Sequence, residues 1–169
     1  GFCSSILFVF GWLDDLHHFH PLTKFSLQII VTNLFIAYSG YFQISDIGFI
    51  NYCYTLIWFV GITNATNLMD CMDGLAAGNI LILLISLLIM LFLMNGINAE
   101  LMPVKNIATI LAGSLCGFLI FNLPVASIFM GDSGSLPLGF IIAAITFPSE
   151  INSYIGHPDI GSIKLILIP

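Results

Sequence analysis

The sequence predicts an all-α fold, a polytopic transmembrane helical bundle, and three observations carry that prediction. Of its 169 residues, 59% are hydrophobic and 7% charged, against about 25% charged in an ordinary soluble domain. Apolar runs that approach the roughly 20 residues needed to cross a bilayer recur along the chain. The side chains with chemical capacity collect in alternate connections between those runs. Three basic residues, all lysine, and nine acids cannot coat a soluble surface of this size, so the surface is expected to face lipid.

The runs follow in order. Residues 2–13 are short and read as the clipped inner end of a span. Residues 25–42 carry Gln28 and Thr32 in helical register with Lys24, a polar stripe expected to face other helices. Residues 47–62, 75–94, 104–121 and 136–147 complete the spans, and 162–169 would open another. The stretch 81–94 is apolar all round, as suits a helix facing lipid on most sides. The chain lacks an initiator methionine and stops inside an apolar run. We therefore expect one membrane-embedded domain over 1–169, truncated at both termini and inactive in isolation.

The connections alternate in character. Those at 41–47, 95–103 and 149–159 are rich in Gly, Asn and Ser and read as plain linkers. Those at 14–24, 64–74 and 122–135 hold five of the nine acids and three of the four histidines. Because successive spans reverse direction, this second set falls on one side of the membrane. Lys24, Lys105 and Lys164 are too few for the positive-inside rule to set orientation. Cys3, Cys53, Cys71 and Cys116 are scattered and read as small apolar fillers.

The first cluster runs from Gly11 through Asp14, Asp15 and three histidines to Lys24. Adjacent carboxylates at a helix end repel unless a cation or proton relieves them. On a helix they point about 100° apart, so they serve different partners; a solvated terminus is the plainer reading. His17, His18 and His20 suit hydrogen bonding or headgroup contact better than zinc. The second cluster places Asn67, Asp70 and Asp73 at i, i+3 and i+6, lining one side of a helical turn with oxygens that suit Mg²⁺, a ribose or a uracil. Its plainer reading is a loop with capping acids. Gly74 and Gly78 permit close backbone approach there. In the third, Asp132 stands between Gly131 and Ser133 at a helix start, where free backbone N–H groups favour oxyanions and the carboxylate can hold a metal. Ser133 and Ser135 read equally as N-caps.

Taken in order, Gly11 to Asp15 with Lys24 and Gln28, then Asn64 to Gly78, then Phe121 to Gly139 resemble the motifs of the polyprenyl-phosphate N-acetylhexosamine-1-phosphate transferase family. That family includes enzymes that initiate O-antigen (lipopolysaccharide), teichoic acid and peptidoglycan lipid intermediates. The resemblance implies attack of a polyprenyl (undecaprenyl) phosphate on the proximal phosphorus of a UDP-HexNAc, with release of UMP. It implies Mg²⁺ as cofactor, with Asp132 as its principal ligand. It further implies that Asp14 and Asp15 handle the lipid phosphate, one as base, and that Lys24 neutralises phosphate charge. Asn67, Asp70 and Asp73 would lie on the nucleotide-sugar side, and Phe129 with Asn122 would meet the uracil. The implied setting is the inner (plasma) membrane, multi-pass, with the active site cytoplasmic. Membrane lipid is a partner, nucleic acid is not, and the apolar surface leaves room for a homodimer.

This sequence departs from the family pattern at Cys71, where glycine is usual, a change expected to narrow the nucleotide pocket. The family's early basic motif and late histidine-rich loop lie beyond the reach of this chain. The Asp-Asp-x-His-His stretch is closer to the O-antigen initiators than to the peptidoglycan branch. The alternative is a secondary transporter or channel, since acids within apolar sequence mark ion paths. That reading expects acids in mid-span, whereas Asp14, Asp15, Asp70, Asp73 and Asp132 fall at span ends.

Overall fold

A computed structural model describes residues 1–41, 45–93 and 102–146. Among them are helices and no strands: α1 (Phe2–His17), α2 (Pro21–Ser39), α3 (Gly48–Met69), α4 (Leu75–Leu93), α5 (Met102–Asn122) and α6 (Gly131–Ile145). The linker at 149–159, the run at 162–169, most of the linker 95–103 and the far ends of the runs 25–42, 75–94 and 136–147 lie outside the described residues.

Local chemistry explains the element ends. His20 precedes α2 in extended backbone, its ring nitrogen accepts the Leu22 N–H, and Pro21 occupies the first helical position, where its missing donor costs nothing. His18 closes α1 in the left-handed region at φ 50°, donating its N–H to the Asp14 carbonyl. Gly74, at φ 71°, provides the turn from α3 into α4. Gly78, by contrast, has open space around it, so no neighbouring helix approaches closely there.

Helix α6 forms the axis of the fold, packing most extensively against α1 and α3, while α4 pairs with α5. Leu7, Val31, Phe59, Leu136 and Phe140 form one core cluster, where Phe59 and Phe140 sit with ring centroids 4.9 Å apart. Ile80, Leu84, Ala108, Leu115 and Ile142 form the other. The expected polar stripe of α2 does face inward: Gln28 and Thr32 are buried, and Gln28 reaches Asn64 on α3 at 3.4 Å. Contact between α3 and α4 is slight, and an apolar cavity of about 560 Å³ opens between them and α6, walled by Trp58, Ile62, Leu83 and Leu87.

The outward surface is apolar. Phe8, Ile30, Ile57, Ile82 and Ile110 stand exposed on five successive helices. Among the described residues, two helices, Leu75–Leu93 and Met102–Asn122, are long and apolar enough to cross a membrane. The buried residues of α4 form a stripe through Ala76, Ala77, Ile80, Leu84 and Leu87, flanked by partly buried Leu81, Leu83, Leu88 and Leu91, while Ile82, Ile85, Ile89, Phe92 and Leu93 stand exposed. An outer surface of this kind suits association with lipid.

Candidate active site

Five helix ends bring the polar clusters together: the last turns of α1, α3 and α5 and the first turns of α2 and α6. Their meeting point is an ion-pair cluster. The Lys24 ammonium contacts Oδ2 of both Asp14 and Asp132. Asp14 is almost fully buried, and its Oδ1 accepts the Phe19 N–H at 2.7 Å. Asp132 Oδ1 accepts from the Asn67 amide at 2.7 Å, and the same amide nitrogen donates to Ser135 Oγ at 2.8 Å.

Asp15 turns the other way, as the 100° offset requires. Its Oδ1 accepts the Asp132 N–H at 2.9 Å and its Oδ2 the Ser133 N–H at 3.0 Å. These two donors at the α6 start, expected to be free for an oxyanion, are therefore occupied. Ser133 and Ser135 are not caps, because α6 has no side-chain cap from its own segment. Ser135 is instead fully buried beneath Asp132, where it accepts the Asn67 amide.

The row Asn67, Asp70, Asp73 does not run along one helix side, because α3 ends at Met69 and Asp70 is its C-cap. Asn67 faces Asp132. Asp70 receives the Gly131 N–H; its carboxyl is raised above the usual aspartate range by burial, reinforced by the charges of Asp132 and Asp15 and opposed by that hydrogen bond. Asp73 is exposed and accepts the Ala126 N–H at 3.1 Å. Asn122 is buried and bridges backbone, accepting the Gly74 N–H at 3.0 Å and donating to the Ile128 carbonyl at 2.8 Å. Phe129 stands 73% exposed on the segment so pinned.

All nine predicted site residues thus lie at one end of the bundle: Asp14, Asp15, Lys24, Asn67, Asp70 and Asp132 in a network centred on Asp132 and the start of α6, and Asp73 and Asn122 in a second set of bonds that holds the segment carrying Phe129. Sequence reasoning named but did not assign the roles of a second row of groups: Ser135, which bonds Asn67, and Gly11 and Gly139, where helices touch backbone to backbone. A Cβ on Gly11 would run into the Asp132 carbonyl, and one on Gly139 would sit 2.9 Å from Thr63 Cα. A glycine inside an otherwise helical run was the available signal. The histidines take local roles: His17 Nδ1 meets the Leu13 carbonyl at 3.1 Å, and His20 begins α2.

Comparison with known proteins adds to this geometry. The family described as glycosyl transferase family 4 matches residues 1–149. A probable undecaprenyl-phosphate N-acetylglucosaminyl 1-phosphate transferase of Bacillus subtilis is 33% identical over 152 residues, covering 85% of this chain and 41% of the relative. The phospho-N-acetylmuramoyl-pentapeptide-transferases of Streptococcus agalactiae serotype Ia and Streptococcus thermophilus CNRZ 1066 are each 36% identical. They cover 86% and 89% of this chain and 44% and 50% of their own lengths. The chain thus spans about half the length, or less, of these relatives.

Proposed function

Because the chain belongs to glycosyl transferase family 4, we propose that the protein transfers an N-acetylhexosamine-1-phosphate from a UDP-sugar to polyprenyl phosphate and releases UMP. The observation that carries this reading is the convergence of Asp14 and Asp132, from two helices, on a single cationic position held by Lys24. Asp15, Asp70 and Asp73 crowd the same end, so the site carries more negative charge than one lysine neutralises. A site built this way calls for a further cation, and it sits where an anionic lipid headgroup meets an apolar wall.

The donor set fits Mg²⁺, which is held by one or two carboxylates together with substrate phosphates and water. Asp132 and Asp14 would hold it, and when bound it supplies charge neutralisation on the two reacting phosphates. This chain's own groups do the positioning. Lys24 offers a point charge to phosphate, and Asn67 with Ser135 keeps the Asp132 carboxylate from rotating. Asp70 and Asp73, on the turn after α3, lie toward the nucleotide-sugar. Phe129 offers a ring face for the uracil, on a segment whose backbone Asn122 holds. An oxygen of the acceptor phosphate attacks the sugar-bearing phosphorus, the bond to UMP breaks, and UMP departs with the electron pair. The apolar cavity between α3, α4 and α6 reaches Met69, adjacent to Asp70, and suits a hydrocarbon chain.

On this reading the protein is a multi-pass enzyme of the inner membrane with its reactive end at the cytoplasmic face. The two branches named among its relatives match at nearly equal identity, 33% and 36%, and favour no single amino sugar. The test is exchange of labelled UMP into UDP-HexNAc by the full-length protein in membranes supplied with polyprenyl phosphate and Mg²⁺. Incorporation is expected, and Asp132→Asn is expected to abolish it without reducing membrane insertion. No incorporation under conditions where a curated relative exchanges would refute the assignment. Near-normal exchange by Asp132→Asn would remove Asp132 as the metal-holding group.

A further inference from the structure

We propose that Asp15 is a positioning residue: its carboxylate clamps the first turn of α6 to the last turn of α1, and that clamp sets where Asp132 stands. The inference concerns the site proposed above and rests on that reading only for the importance given to Asp132.

Helix α6 begins without help from its own segment. Met130 occupies the N-cap position in helical backbone and contributes no side-chain hydrogen bond, although the first N–H groups of any helix need partners. Asp15 supplies two of them from 117 residues away, at 2.9 and 3.0 Å, one from each carboxylate oxygen. A negative group at a helix N-terminus is also favoured by the helix dipole. The surroundings are shaped to admit it. Gly131 adopts φ 65°, and a Cβ there would sit 2.9 Å from Asp15 Oδ2 and 3.1 Å from Oδ1.

One helical turn earlier, Gly11 presses against the Asp132 carbonyl so closely that no side chain fits between them. Gly11 and Asp15 are four residues apart and share a helix face. Together they grip the backbone of Asp132 from its carbonyl and its N–H. The side chain of Asp132 is then held separately, by Lys24 and Asn67. The two adjacent aspartates of α1 thus divide the work: Asp14 faces the cationic centre, and Asp15 holds in place the residue opposite it. A carboxylate engaged by two backbone donors is an anchor, and its neighbour is left as the group facing the reacting phosphates.

The experiment compares full-length wild type, Asp15→Asn and Gly131→Ala in detergent. The second variant leaves the Asp15 carboxylate chemically intact but pushes a methyl group into it. Three quantities are measured: amide hydrogen exchange of the peptide spanning 131–136, Mn²⁺ affinity by EPR, and the pH profile of UMP exchange. Both variants should exchange the first-turn amides of α6 faster than wild type and bind Mn²⁺ about tenfold more weakly, the scale of losses when a ligand's supporting partner is removed. They should lower kcat while keeping both limbs of the pH profile. Unchanged amide exchange would overturn the clamp whatever the activity. Loss of one pH limb in Asp15→Asn, with Mn²⁺ affinity intact, would make Asp15 a proton-transfer group and overturn it as well. Should wild type neither bind Mn²⁺ nor exchange UMP, the functional reading fails, while faster amide exchange in Asp15→Asn would still establish the clamp.

Discussion

Replacing Lys24 with methionine isolates the electrostatic core of the site. Methionine preserves most of the side-chain volume and deletes the charge. In the native fold, Asp14 and Asp132 both contact the Lys24 ammonium, with side-chain exposures of 3% and 19% against 25% for the lysine. Two oxygens that share one nitrogen lie about 5 Å apart, and at an effective dielectric of about 20 their repulsion is about 3 kcal/mol. This agrees with the roughly 3–5 kcal/mol lost when one partner of a buried pair is removed. At about 2–4 °C per kcal/mol for a domain of this size, Lys24→Met should lower the thermal midpoint by about 6–12 °C. The midpoint is followed in detergent through the fluorescence of Trp12 and Trp58. The loss should be partly reversed in the double variant Lys24→Met/Asp132→Asn. A drop under 2 °C, or one indifferent to the second substitution, would show that Lys24 does not hold these carboxylates together.

Two further outcomes follow from the geometry. A carboxyl whose folded value lies above its free value of 3.8, as for Asp70, is protonated more readily folded than unfolded, so its ionisation costs stability. That cost is absent below about pH 3.8, grows as pH climbs toward the raised value, and persists above it. Asp70→Asn should therefore melt higher than wild type at neutral pH, with the difference vanishing in acid; equal midpoints at pH 7 would contradict the burial and crowding described for Asp70. Gly139→Ala should lose about 1–3 kcal/mol by overpacking α6 against Thr63 and Thr66, whereas Gly61→Ala, facing open space on α3, should be neutral or slightly stabilising. Equal melting of the two alanine variants would argue against close backbone contact between α3 and α6.

The helices were legible because apolar runs are local, and so was the gathering of chemistry at one end, which follows from alternating direction. Helix ends within the polar clusters were not. Residues 64–67 read as connection because Asn and Thr favour turns, yet α3 continues through them. Thr63 and Thr66 are buried, Gly139 lies against both, and Asn67 is bonded across to α6, so tertiary contact outweighs local preference. Helix α6 was expected at 136 and starts at 131. Gly-Asp-Ser-Gly-Ser has the composition of a loop and Pro137 that of a boundary, and the group that caps this helix belongs to another. The separate duties of Asp14 and Asp15 were foreshadowed by their angular offset, but which faced the lysine depended on how α1 is rotated in the bundle.

The span of sequence between Lys24 and Asp132, 108 residues, has a consequence for biogenesis. At about 5–20 residues per second, a ribosome delivers Asp132 some 5–20 s after Lys24. During that interval the nascent chain contains Asp14 and Lys24 as a neutral couple already able to enter the bilayer together. The third member joins a couple made earlier, so an insertion intermediate arrested before α6 should keep Asp14 paired with Lys24 while still lacking the helix against which α1 and α3 pack most extensively.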